Sequence, residues 1–91
     1  MTHNSYFDGQ VQSLGLDTPK GYATVGVMEK GAYHFTTSSP EVIVVMSGIM
    51  NIKQAHTDWV KYVEKDEFQL PANIAFETVC DTDVAYICYY G

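Results

Sequence analysis

The sequence contains no arginine, so its five lysines are the only side chains with a permanent positive charge. Eleven acidic residues outnumber them and leave a net charge of −6 over 91 residues. A surface of this sign repels the phosphates of nucleic acids and the head groups of anionic membranes. We therefore expect neither nucleic acid nor a membrane as a partner.

Long apolar segments are also missing. No stretch approaches the roughly 20 apolar residues of a membrane-spanning helix, and no apolar segment follows a basic amino terminus. Cysteine occurs only at Cys80 and Cys88. If Asp81 to Asp83 form a turn, the two cysteines fall opposite other residues, which favours two reduced thiols over a disulfide. These features predict a soluble cytoplasmic protein, and its length suffices for one domain that often needs oligomerisation for further burial.

No helical 3.6-residue period extends beyond two turns, so the fold class is predicted to be all-β. Short alternating segments recur about every ten residues between turn signals, which is typical of a single small β-barrel or closed sandwich. Residues 1–20 carry scattered turn residues and predict a largely irregular N-terminal arm with one short strand. The expected strands of the remainder are Tyr22–Met28, Ala32–Thr37, Val42–Met46, Ile49–Ile52, Trp59–Val63, Glu67–Leu70, Ile74–Cys80 and Val84–Tyr90.

The most apolar stretch, Pro40–Lys53, is predicted to be a buried hairpin that turns at Ser47 and Gly48. Alternation places Glu41 on the same face as two apolar side chains, which points its carboxylate towards the interior. The opposite face, with Val42, Val44 and Met46, is apolar too. It requires cover from a second sheet or from a twofold partner, and the sequence therefore predicts a homodimer.

Three features of this order of motifs resemble cupins, which are small jelly-roll β-barrels. Six residues separate Glu41 from Gly48, His34 stands where the first histidine of a cupin motif belongs, and the turn 71–73 resembles the P-x-G element. Thr36 and Phe76 occupy the positions of the other two metal-binding histidines. The resemblance implies a single cupin-like domain over 1–91, and no metal is expected in it.

Five separated segments resemble, more narrowly, the small cupin-fold pyrimidine/purine nucleoside phosphorylases: YFDGQVQSLG, ATVGVMEKGAYHFTTSSPE, SGIMN, TDW and YICYY. The resemblance implies a bacterial cytosolic enzyme, often dimeric, that cleaves ribonucleosides with phosphate into ribose 1-phosphate and a free base. Phosphate is its co-substrate, and no cofactor is implied. The sequence departs from the family at Tyr22, Val42, Glu77 and Tyr89, so two arginines that could hold phosphate are replaced by tyrosine.

Two side chains are candidates for catalysis. Glu41 could contact ribose hydroxyls or stabilise positive charge at the anomeric carbon, as an oxocarbenium-like transition state requires, or it could be a solvated carboxylate at a strand start. His34 could donate a proton to the departing base or bind a metal, although a metal normally takes at least three protein ligands. A hydrogen-bonded strand histidine is the structural alternative.

Five further side chains are candidates for substrate binding. Tyr22, Phe76 and Tyr89 offer ring surfaces on which a nucleobase could stack, and a core position is the alternative for each. Ser47 and Asn51 lie beside Gly48 and could form a small anion cradle, or they could serve the turn alone.

Three functions fit these residues. The first is nucleoside phosphorolysis. The second is non-catalytic binding of a nucleoside-like metabolite, which the missing arginines favour. The third is a metal-dependent cupin oxygenase or isomerase, which would need a bound metal.

Overall fold

The alternating segments of the sequence form ten strands, and the computed structural model describes all of residues 1–91. The strands are β1 (Thr2–Tyr6), β2 (Val11–Thr18), β3 (Gly21–Met28), β4 (Gly31–Thr36), β5 (Glu41–Ser47), β6 (Met50–Gln54), β7 (Val60–Tyr62), β8 (Glu67–Leu70), β9 (Ala75–Cys80) and β10 (Val84–Tyr90). The predicted all-β class is confirmed. There is no helix with the length and hydropathy of a membrane span.

Two antiparallel sheets face each other. One has six strands in the order β1-β2-β3-β10-β5-β8, and the other has four in the order β4-β9-β6-β7. The edge strands of one sheet form no ladder with those of the other, so the strands do not close into a hydrogen-bonded ring. The expected closed barrel is therefore corrected to a pair of packed sheets.

The predicted hairpin over Pro40–Lys53 is wrong, because β5 and β6 lie in different sheets. β5 pairs with β10 and β8, whereas β6 pairs with β9 and β7. Gly48 turns the chain between the sheets with φ of +99°, and a Cβ there would overlap the backbone oxygen of Asp83. Glycine alone combines this left-handed backbone with the close approach of a neighbouring chain.

The N-terminal arm expected to be largely irregular is a regular hairpin instead. β1 pairs with β2 from Thr2 opposite Gly15 to Tyr6 opposite Val11. β2 in turn pairs with β3 over its whole length. Asp8 and Gly9 lie in the loop between the two strands, where Phe7, Asp8 and Gly9 have positive φ, and Pro19 lies in the turn that leads to β3. Gly15 and Asp17 lie within β2, so this region contains two tight turns and no irregular segment.

The core lies between the sheets and is built from the inner faces of the strands other than the edge strands β1 and β7, which contribute no buried residue. In β5, Ile43 and Val45 are 5% and 0% exposed, and Glu41 on the same face is partly buried, as the alternation predicts. Cys80 and Cys88 are both buried as free thiols, in agreement with the expected reduced state. The two sheets leave an unfilled space towards one end of this core.

Candidate active-site cavity

A cavity of about 540 Å³ occupies this space between the sheets, within the roughly 300–1,000 Å³ of typical small-molecule sites. Most of its wall is apolar, which suits a ring-shaped ligand, and the polar groups in it are few. The wall consists of Asn4, Tyr6, Phe7, Val11, Ser13, Met28, His34, Phe35, Thr36, Glu41, Ile43, Met50, Phe76, Thr78, Tyr86, Cys88 and Tyr90.

Burial separates the mouth of the cavity from its floor. The mouth carries the exposed or partly buried lining residues, among them Asn4, His34, Glu41 and Tyr90. The floor carries the lining residues that are at most 5% exposed, which are Val11, Met28, Ile43, Met50, Thr78 and Cys88. A ligand that enters this cavity therefore meets its polar rim first and a mostly apolar floor last.

Glu41 is the only carboxylate in the wall. It lies at the start of β5, and its Oε1 accepts a hydrogen bond from the Cys88 thiol at 3.3 Å. Burial raises the pKa of Glu41, and the bond from Cys88 opposes that rise. Burial and the nearby Glu41 raise the pKa of Cys88 to about 12, so the thiol keeps its proton and remains the donor.

Tyr90 stands beside Glu41 at the mouth, because β10 pairs with β5 in a register that sets these two residues opposite each other. Its hydroxyl lies 3.1 Å from that of Thr24 on the neighbouring strand. Burial raises the pKa of Tyr90 as well, so its hydroxyl stays protonated at neutral pH. The mouth thus presents two hydrogen-bonded groups. The Glu41 carboxylate is held by the buried Cys88 of β10, and the Tyr90 phenol is held by the buried Thr24 of β3.

Aromatic rings form the opposite wall. The ring centroids of Phe35 and Phe76 lie 5.6 Å apart at an interplanar angle of 30°. Phe7, from the turn between β1 and β2, packs edge-on against Phe35 at 5.6 Å and against His34 at 5.8 Å. Phe7 thereby covers the edge of β4. The wall offers flat apolar surfaces of the kind on which a nucleobase stacks.

Three of the seven residues expected in the site reach this cavity, namely Glu41, His34 and Phe76. The other four do not line it. Tyr22 packs on Tyr90 at 5.7 Å but lies outside the lining, and Tyr89 faces the outer side of its sheet, where Lys20 Nζ lies 5.5 Å from its ring.

Ser47 and Asn51 are also absent from the lining, because the predicted hairpin that would have joined them does not exist. Ser47 belongs to a separate, shallower depression at the opposite end of the six-stranded sheet. The Asn51 amide donates to the backbone oxygen of Val79 at 3.0 Å within the four-stranded sheet. Ser47 and Asn51 therefore do not form a shared anion cradle.

Several residues of the site were not singled out from the sequence. Asn4 and Ser13, joined by a 3.3 Å hydrogen bond, come from the segment expected to be irregular. Alternation within β9 places Thr78 beside Phe76 and could have found it.

His34 and Glu41 have no third potential metal ligand beside them. No three side chains of histidine, cysteine, aspartate or glutamate lie close enough together to share a metal ion. His34 sits on an edge strand opposite Glu77, with its side chain exposed at the rim. What the cavity offers is one carboxylate, other hydrogen-bonding side chains and aromatic rings.

The family model for pyrimidine/purine nucleoside phosphorylase matches residues 1–90. The chain belongs to this family. A pyrimidine/purine nucleoside phosphorylase of Pseudomonas syringae pv. tomato is 41% identical over 88 residues, which cover 96% of this chain and 95% of that protein. One from Hahella chejuensis is 40% identical over 89 residues, with coverage of 97% and 96%.

Solved structures agree with the fold of this phosphorylase family member. A Vibrio parahaemolyticus protein of unknown function superposes with a TM-score of 0.91 and 36% identity over 96% of this chain and 94% of its own. A protein of unknown function from Acinetobacter sp. ADP1 gives 0.90 at 25% identity, with coverage of 100% and 90%. An RmlC-like cupin from Shewanella frigidimarina gives 0.72 at 18% identity, with coverage of 97% and 91%, which shows a cupin-like fold.

Proposed function

We propose that this protein cleaves purine and pyrimidine ribonucleosides with inorganic phosphate, releasing the free base and ribose 1-phosphate. The observation that carries the proposal is the cavity with Glu41 at its mouth and the pair Phe35 and Phe76 in its wall, in a chain whose relatives bear the name of this activity. A phosphate oxygen forms the new bond to the anomeric carbon, the bond to the base nitrogen breaks, and the proton that hydrogen phosphate loses ends on the departing base through solvent.

Glu41 acts at the sugar in this proposal. As the bond to the base breaks, the anomeric carbon and ring oxygen gain positive charge, and a carboxylate held in a partly dry site stabilises that charge strongly. The Cys88 thiol fixes one carboxylate oxygen, which leaves the other free to face the sugar. Cys88 is thus a positioning residue for Glu41.

Phosphate approaches from the mouth. None of the five lysines lines the cavity, so a phosphate dianion placed deep inside would lose its hydration with no cation to compensate. At the exposed rim the dianion stays hydrated, and this water screens it from the Glu41 carboxylate. The rim also offers the His34 imidazole as a hydrogen-bond donor, so we assign His34 to phosphate and not to the departing base.

The proposal is tested by incubating the purified protein with uridine or adenosine, with and without phosphate, and separating the products. Phosphate-dependent release of base together with ribose 1-phosphate is expected. If the folded protein releases no base above a blank, the proposed reaction is refuted.

A second candidate is a non-catalytic protein that binds a nucleoside-like metabolite. The observation in its favour is the cavity wall, which contains neither lysine nor arginine to hold phosphate. A rise in melting temperature with nucleoside, unaffected by phosphate and without turnover, would support this function over phosphorolysis.

We also propose that the protein acts as a homodimer in the cytoplasm, with nucleosides and phosphate, and not nucleic acid or a membrane, as its partners. The outer face of the six-stranded sheet supports a second copy as partner. Leu14, Val25, Ile87 and Val44 stand side by side across four strands of that face. Leu14 and Val25 are 46% and 47% exposed, so an apolar band remains open to solvent.

A further inference from the structure

Thr78 has the one buried polar side-chain atom of the molecule that lacks a hydrogen-bond partner. Its residue is 0% exposed, and its Oγ1 makes no bond to any protein group. A buried hydroxyl without a partner destabilises a folded protein, and nearly all such groups in proteins are paired. Thr78 also belongs to the cavity wall, so a ligand that reaches the floor of the cavity is the candidate for the missing partner.

The strand register sets the depth of Thr78 in the cavity. On β9 it lies two residues beyond Phe76 on the same face, which is about 6.6 Å further along the strand. Its neighbours across the ladder are Tyr33 and Ile52, which are 5% and 3% exposed. A ligand ring stacked on Phe76 would therefore have Thr78 beyond its inner edge.

The orientation of the ligand follows from the proposed reaction, on which this inference rests. When the attacking group and the leaving group stand on opposite faces of the sugar carbon, phosphate at the mouth places the base towards the floor. Glu41 then lies beside the sugar, between the two. The deepest atoms of the ligand are those of the nucleobase edge.

We propose that the Thr78 hydroxyl is the hydrogen-bonding contact for the edge of the nucleobase at the floor of the cavity. A hydroxyl can donate or accept, and its hydrogen rotates to suit the partner. It donates to the carbonyl oxygen of a pyrimidine or to the ring nitrogen of a purine, and it accepts from an exocyclic amino group. One such contact fits both classes of base.

Isothermal titration of uridine and adenosine, without phosphate, tests this contact in three variants. Thr78→Val keeps the shape and removes the hydroxyl, and binding weaker by about three- to tenfold is expected for both nucleosides. Thr78→Ser keeps the hydroxyl and should bind like the wild type. Thr37→Val is the matched control: Thr37 is also buried, at 4% exposed, but lies outside the cavity, and its hydroxyl is paired with the backbone of Pro71 and Ile74. It should bind normally.

Equal weakening by Thr78→Val and Thr78→Ser, or unchanged binding to Thr78→Val, would overturn the proposal. Titration of 2′-deoxyuridine and 3′-deoxyuridine then separates base from sugar. The Thr78→Val penalty should persist for both, and its disappearance for either would assign the hydroxyl to the ribose and refute the base contact. Because binding is measured without turnover, an inactive wild type that still shows this pattern would refute phosphorolysis while leaving the contact intact.

Discussion

At the scale of single residues, the proposed reaction depends on Glu41, which is the one carboxylate in the cavity wall. Glu41→Gln keeps an oxygen that can accept from the Cys88 thiol but removes the negative charge. We expect nucleoside cleavage to fall by roughly 10²- to 10³-fold with the fold intact. Base release and circular dichroism measure the two effects.

Glu67→Gln is the control for that variant. Glu67 lies on the neighbouring strand β8, where it is exposed outside the cavity, and its substitution removes the same charge from the chain. Its activity should match the wild type. Equal losses in both variants would mean that net charge, and not the position of Glu41, supports the reaction.

The raised pKa of Glu41 also predicts how stability depends on pH. Burial lifts this pKa above the ordinary value of 4.5, so the folded protein holds the proton more tightly than the unfolded chain. The resulting stabilisation is complete below 4.5 and is lost as pH rises through the folded pKa. We expect the free energy of unfolding of the wild type, relative to Glu41→Gln, to fall as pH is raised from about 4 to 7.

Urea unfolding of both proteins across this pH range measures that difference. The comparison cancels the other ten acidic residues, which both proteins share. A difference that is flat, or that grows with pH, would contradict a buried carboxylate at position 41.

Sequence reasoning named Glu41 because alternation within a strand identifies the side chains that share a face, and it named Phe76 and Tyr89 for their rings. Alternation puts Tyr89 and Tyr90 on opposite faces of β10, but a period of two does not say which face is inside. Only the pairing of β10 with β5, which sets Tyr90 opposite Glu41, decides that question. Such long-range pairing is not encoded in a local pattern.

At the scale of elements, the passage from β5 to β6 shows what a local pattern can and cannot predict. The strand positions were largely predicted, because apolar β-branched residues favour extended chain. The pairing of those strands was not, since a glycine between two apolar runs fits a hairpin as well as a crossing between sheets. The close approach of Asp83 to Gly48 distinguishes the two, and it comes from the other end of the chain.

Gly48→Ala is expected to destabilise the protein by roughly 3 kcal/mol or more, because strain from positive φ adds to the overlap of a Cβ with Asp83. Gly21→Ala is the matched control: its φ is +104° but nothing lies within 4 Å of the added Cβ, so only the backbone strain of about 1–2 kcal/mol applies. Urea unfolding compares the two variants. Equal losses would show that the crossing at Gly48 tolerates a side chain.

At the scale of the whole molecule, the two faces of the six-stranded sheet are used differently. The inner face builds the core and one wall of the cavity, whereas the outer face leaves Leu14, Val25 and Val27 about half exposed. The sequence predicted apolar residues on both faces of β5. The pairing of β5 with β10, of β10 with β3 and of β3 with β2 extends the outer apolar band across four strands. In a monomer this exposed band adds no burial free energy to the fold, but two copies related by a twofold axis would bury it.

Val25→Lys is therefore expected to convert a dimer into a monomer, since the outer band would then carry a charge that has no partner in a twofold interface. Light scattering should give the wild type twice the 10.2 kDa mass of one chain and the variant a single mass. Val60→Lys is the control, because Val60 is 44% exposed on the edge strand of the other sheet, against 47% for Val25. That variant should remain dimeric. A wild type that scatters as one chain, or a dimer that survives Val25→Lys but not Val60→Lys, would place the interface elsewhere.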